Sequence, residues 1–119
     1  MPVIPETIKP TVRIRYSPQS SKEDLLEVQY GLEEEGVPWE LTSDTGSALE
    51  LAWKAAQESR LEVGIGLDAQ HVVLHFAKLD PAEPLFSIPA RSGEESLRSI
   101  GANAARLVKK VPLKNLNRR

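Results

Sequence analysis

The sequence predicts an α/β fold: a single three-layer domain on an open, mostly parallel sheet with one antiparallel strand. Three observations predict it. Stretches with apolar residues at alternate positions take turns along the chain with stretches of helical period. Between the third and fourth strand-like stretches lie only Asp68 to Gln70, too few residues for a crossover, so that pair is antiparallel. The chain has 119 residues, 40% of them hydrophobic, which is the size of one domain with a real core. The remaining crossovers are expected to be right-handed.

The elements follow in order. Pro2, Pro5 and Pro10 make residues 1–10 a poor helix or strand and predict an extended N-terminal arm. The domain proper is expected over 11–112. Thr11 to Tyr16 alternates β-branched and charged residues and is the first strand, with Val12 and Ile14 inward. Ser17-Pro18 ends it. Ser20 and Glu23 have capping-box spacing at the start of the first helix. Leu25, Val28 and Leu32 share its inner face, and Gly36 is the expected left-handed stop. Val37 to Thr42 is the second strand. After a turn at Asp44 to Gly46, Ser47 and Glu50 repeat the box, and Leu49, Ala52, Trp53 and Ala56 mark a second helix ending near Ser59.

Leu61 to Leu67 is the third strand. Its Gly64 and Gly66 leave one side bare, which fits close packing beside a neighbouring strand or another subunit. Val72 to Phe76 is the fourth strand, Leu79 to Pro84 a loop, and Leu85 to Ile88 a short last strand. Ser92 and Glu95 give a third capping-box spacing. Leu97, Ile100, Ala104, Leu107, Val108 and Val111 then mark a long amphipathic helix that Pro112 stops. Its small residues Gly101, Ala102 and Ala105, with Asn103 among them, fit either close helix-on-sheet packing or a subunit contact. Residues 113–119 are read as a polar, loose tail.

One stretch resists explanation by helix stability. Glu33, Glu34 and Glu35 sit at the C-terminal end of the first helix, where the dipole is negative and each exposed carboxylate costs roughly 0.3–1 kcal/mol. They are either solvated or met by something cationic outside this chain. At about 100° per residue, Glu34 points away from the Leu25/Val28/Leu32 stripe, on the side of Tyr30 and Glu27, while Glu35 lies nearer the stripe. A hard divalent cation takes carboxylate oxygens, and one outward carboxylate could complete a site built mostly by a partner.

Other chemistry is excluded or weak. Cysteine is absent, which removes disulfides, thiol nucleophiles and Cys-ligated zinc and fits a reducing compartment. The net charge of −2 gives no global field toward nucleic acid or anionic membranes. No apolar run approaches the roughly 18 residues of a membrane helix, and the N-terminus lacks secretory-signal character. His71 and His75, four apart on a strand, are separated by about 13 Å, too far to share a metal. Gly64-Ile65-Gly66 lacks the third glycine of a dinucleotide loop, Ala69 standing there, and no helix follows. A GxxxxGK[ST] phosphate loop is absent, and no spacing ties a nucleophile to a histidine base. From Arg106 to Arg119 there are six basic residues and no acidic one, which a helix C-terminus favours without any nucleic acid.

Three blocks together carry a resemblance. They are Gly31-Leu-Glu-Glu-Glu-Gly-Val-Pro38, then Ala52-Trp-Lys-Ala-Ala56 continuing to Leu61-Glu-Val-Gly-Ile-Gly66, then Ile100-Gly-Ala-Asn-Ala-Ala-Arg-Leu-Val-Lys109. With their order and spacing, from about Thr11 to Asn117, the chain resembles the small (β) subunit of the diol or glycerol dehydratase reactivating factor. The resemblance implies the fold of the dehydratase medium subunit, a layered shape that anticodon-binding domains share. It implies a non-catalytic, chaperone-like role. The partner would be an Hsp70-like ATPase large subunit, in a heterotetramer of two large and two small subunits, with ATP or ADP bound by that partner. The small subunit would exchange with the medium subunit of an adenosylcobalamin-dependent diol or glycerol dehydratase and so release damaged cobalamin. It further implies that Glu34, the second glutamate of the Gly-Leu-Glu-Glu motif, helps hold a divalent cation, Mg2+ or Ca2+, shared with the large subunit. A cytoplasmic location is implied, with enclosure in a bacterial microcompartment left open, as is the choice between propanediol and glycerol. Two other readings stand beside it: a dehydratase medium subunit itself, and an RNA-binding module of anticodon-binding shape.

Overall fold

Alternation decides the first strand. Val12 and Ile14 of β1 (Val12–Tyr16) go to one face and are fully buried, while Arg13 and Arg15 go to the other. The computed structural model describes residues 10–115. After β1 come α1 (Lys22–Glu34), β2 (Trp39–Ser43), α2 (Ala48–Glu58), β3 (Val63–Leu67), β4 (His71–Phe76), β5 (Phe86–Pro89) and α3 (Glu94–Lys109). Of the predicted N-terminal arm, residues 1–9 lie outside the described residues, as do 116–119 of the tail.

The sheet order is β2-β1-β3-β4-β5. β1 pairs in parallel with β2 and β3, so Ile14 lies between Leu41 and Ile65. β3 pairs antiparallel with β4, and β4 antiparallel with β5. The direction of β4 is therefore opposite to that of the other strands, as the short Asp68–Gln70 turn requires.

The two faces of the sheet differ. On one, Val12, Ile14, Val63, Ile65, Val72 and Leu74 pack with Val28, Leu32, Leu97 and Ile100 of α1 and α3. On the other lies α2. There the glycines matter: a Cβ on Gly64 would overlap the backbone of Ala56, and one on Gly66 the carbonyl of Ala48. The bare side of β3 thus admits helix α2, and not the strand or second subunit expected from sequence. Arg15 on this face reaches Asp44 at 2.8 Å and also pairs with Glu58, tying β1 to the end of β2 and to α2. Leu51 and Ala55 belong to the buried face of α2, whereas Leu49 and Trp53 are only partly buried.

Caps and ends correct the sequence reading in several places. α1 is capped by Ser21, whose hydroxyl accepts the Asp24 N–H at 3.2 Å; Ser20 instead donates to the Ser17 carbonyl. The Ser47–Glu50 box is present in both directions. The third box is absent: α3 starts at Gly93 without a side-chain cap, and the Ser92 hydroxyl donates to the Pro89 carbonyl. α3 ends at Lys110 in the left-handed conformation, two residues before Pro112, and Val111 is outside it and exposed. Val37 is a buried lead-in to β2 and not its first residue.

The small-residue face of α3 has a role that the sequence reading did not contain. A Cβ on Gly101 would overlap the Val28 carbonyl oxygen of α1, and one on Gly31 the Arg98 carbonyl oxygen of α3. The two glycines let the helices touch backbone to backbone. The start of the tail is not loose either: the Lys114 N–H donates to Asn103 Oδ1 at 2.6 Å, and Asn103 Nδ2 donates to the Lys114 carbonyl at 3.1 Å.

Candidate functional site

Close approach of α1 and α3 puts the carboxylates of one helix beside the cations of the other. Gly36, with φ of 75°, stops α1 just after Glu35. Glu35 turns toward α3: its carboxylate meets Lys109 Nζ at 2.9 Å and Arg106 Nε at 3.1 Å, and Lys109 also donates to the Glu35 carbonyl at 3.0 Å. These bonds, that of Lys109 first and that of Arg106 next, hold the Glu35 carboxyl below its usual pKa. The last turn of α3 thereby supplies from within the chain the cations that sequence reasoning looked for outside it. The Glu35 side chain is 17% exposed.

Glu34 is different. Its side chain is 53% exposed, and its contact is Arg98 Nη1 at 3.8 Å. Arg98 is committed elsewhere: its Nε donates to Glu27 at 2.6 Å, its guanidinium lies 5.3 Å from the Tyr30 ring centre, and Glu94 stands 3.9 Å away. The bond to Glu27 chiefly raises the Arg98 pKa. Among the described residues the Glu34 carboxylate therefore keeps lone pairs free for another ligand. Leu26 and Tyr30, exposed and each four residues before the next, run along α1 into Glu34 and make an apolar row leading to it. Beside the row, a groove of about 550 Å³ is lined by Glu34, Glu94, Arg98 and Lys114.

Does this fit a metal? Among the described residues, no group of three or more His, Cys, Asp or Glu could hold a metal ion. A hard cation at Glu34 would find fewer than three such ligands among the described residues and would draw the rest from water or from another chain. The histidines stay apart. His71 is exposed. His75 is fully buried 5.1 Å from the Trp53 ring, its Nδ1 accepting the Phe76 N–H at 3.0 Å and its Nε2 facing the Pro81 carbonyl at 3.1 Å. Sequence reasoning missed Arg98 and the Asn103–Lys114 pair. Glu94 and Arg98 did carry an i, i+4 signal; nothing local joins Glu27 to Arg98 across 71 positions.

A family model described as "Dehydratase medium subunit" matches residues 9–114. The small subunit of the diol dehydratase-reactivating factor of Klebsiella michiganensis is 41% identical over 92 residues, which cover 76% of this chain and 74% of that one. The chain belongs to the dehydratase medium subunit family, among its reactivating-factor small subunits. The propanediol dehydratase-reactivating factor small subunit of Salmonella typhimurium is similar at 40% over 92 residues, 76% and 79% of the two chains. Two solved structures of this family superpose over nearly the whole fold. One is a glycerol dehydratase reactivase, with TM-score 0.86 and 38% identity over 92% of this chain and 100% of that one. The other is a diol dehydratase-reactivating factor complexed with ADP and Mg2+, with TM-score 0.84 and 35% identity over 90% and 99%. The resemblance read from the three sequence blocks is thus borne out, and the three-layer fold with it.

Proposed function

We propose that this chain is the non-catalytic small subunit of a chaperone-like reactivating factor for a cobalamin-dependent diol or glycerol dehydratase. Its partner is an Hsp70-like ATPase large subunit, paired with it in a heterotetramer of two large and two small subunits, and nucleotide binds to that partner. The carrying observation is the superposition on a glycerol dehydratase reactivase chain across its full length at 38% identity. Exchange with the dehydratase medium subunit then opens the enzyme and lets damaged cobalamin leave. One surface that fits two partners at similar free energies needs only a modest difference in affinity to swap, and nucleotide state can set that difference.

Glu34 is the residue proposed to hold Mg2+ or Ca2+ jointly with the large subunit. Its support is an exposed carboxylate, a contact with Arg98 no closer than 3.8 Å, and the apolar row of Leu26 and Tyr30 beside it. The cation, when bound, would bridge charges between the chains. Mixing the chain with its cognate large subunit should give one complex by size exclusion; two separate peaks would sink the reading. Glu34→Ala should weaken association about tenfold or more in the presence of the divalent cation, and chelator should remove the difference between mutant and wild type. Equal affinity of the two with the cation present would dismiss the Glu34 role. The second reading, a dehydratase medium subunit, draws on the description of the matching family model. Cobalamin binding by a dehydratase reconstituted with this chain would favour it.

A further inference from the structure

Asn103 lies fully buried in the middle of α3, flanked by Ala102 and Ala104, a position where asparagine is a poor helix former. Both ends of its amide are used, and both are used on one residue: the backbone N–H and C=O of Lys114. This is the way a strand residue pairs with its neighbour, and it reads no side chain. The chain is brought there by design of the helix end. Lys110 in the left-handed conformation turns it, Val111 N–H donates to the Arg106 carbonyl at 3.1 Å, and Arg106 Nη1 donates to the Pro112 carbonyl at 3.4 Å. Residues 112–115 then run back along α3. There Lys114 and Asn115 form one wall of the groove whose other walls carry Glu34, Glu94 and Arg98.

We infer that residues 112–115 are a strap latched to α3 by Asn103, and that the latched strap is part of the surface on which Glu34 meets its partner chain. The second half rests on the function proposed above. A latched strap presents its wall already ordered. A released one must be ordered during association, which costs affinity without removing a contact. Because the latch grips backbone alone, what matters at position 114 is an N–H, and proline lacks one.

The test uses the full-length chain. Amide hydrogen exchange should show the Lys114 N–H at least about tenfold slower in the wild type than in Asn103→Ala, with β3 amides unchanged between the two. Equal exchange at Lys114 overturns the latch. Asn103→Ala, and Lys114→Pro measured against Lys114→Ala, which loses the same side chain but keeps the N–H, should each weaken binding to the cognate large subunit about five- to tenfold. Wild-type affinity in both variants overturns the link to the interface. If the wild type does not bind the large subunit at all, the proposed function fails and takes that link with it. The exchange result still decides the latch.

Discussion

Glu33, Glu34 and Glu35 are one residue type in a row, and the turn of α1 by about 100° per residue gives each a different neighbourhood. Glu35 lies between Lys109 and Arg106, and Glu34 stands outward beside Arg98. The sign of the acid response follows. The folded pKa of Glu35 is lower than its unfolded value, so between the two the unfolded chain holds the extra proton. The stabilisation is complete above the ordinary carboxylate pKa and is lost as pH falls through the folded one. Glu35→Gln should therefore lower stability at pH 7 by up to about 1 kcal/mol, the range for partly exposed pairs, and by less at pH 3. Urea denaturation at the two pH values measures it; an equal loss at both would show that charge is not the cause. Helical period alone gave the outward Glu34 and inward Glu35. It could not give Lys109 and Arg106, because partners 74 and 71 positions away are set by how two helices dock.

Elements are joined by missing side chains as much as by present ones. Gly31 and Gly101 bring α1 against α3, and Gly64 and Gly66 bring α2 against β3. Alanine in place of a helix-interior glycine ordinarily gains about 1 kcal/mol. Gly101→Ala should reverse that sign and cost about 2 kcal/mol or more, because the added methyl meets a backbone carbonyl that cannot rotate away. Thermal unfolding of the variant checks it, and a raised midpoint would contradict the backbone contact. The glycines were visible in the sequence as bare positions, but what they faced was not. The three Ser-x-x-Glu spacings teach the same point. Ser47 and Glu50 form the reciprocal box, whereas Ser20 and Ser92 each bond to a carbonyl three residues earlier, that of Ser17 and that of Pro89 at the end of β5. Spacing proposes a cap; the residue at which backbone dihedrals turn helical decides it.

At the scale of the whole molecule, strand order is what the pattern could not supply. Alternating strands and helices gave the three layers, and the three-residue turn gave the reversed β4. That β1 lies inside the sheet, between β2 and β3, is visible only in the pairing. This placement has a consequence for synthesis. Of the described elements β1 emerges first from a ribosome, yet one of its neighbours, β3, ends at Leu67, and α3, whose Leu97 and Ile100 cover the same core face, is the last of them. Until then Val12, Ile14, Val28 and Leu32 have no lid. A chain ending before Glu94 should show no cooperative unfolding transition by circular dichroism; a sharp one would mean that the sheet and α1 suffice. The apolar face of the nascent chain thus gains its cover only once α3 has emerged, and until that moment it depends on whatever holds it out of aggregates.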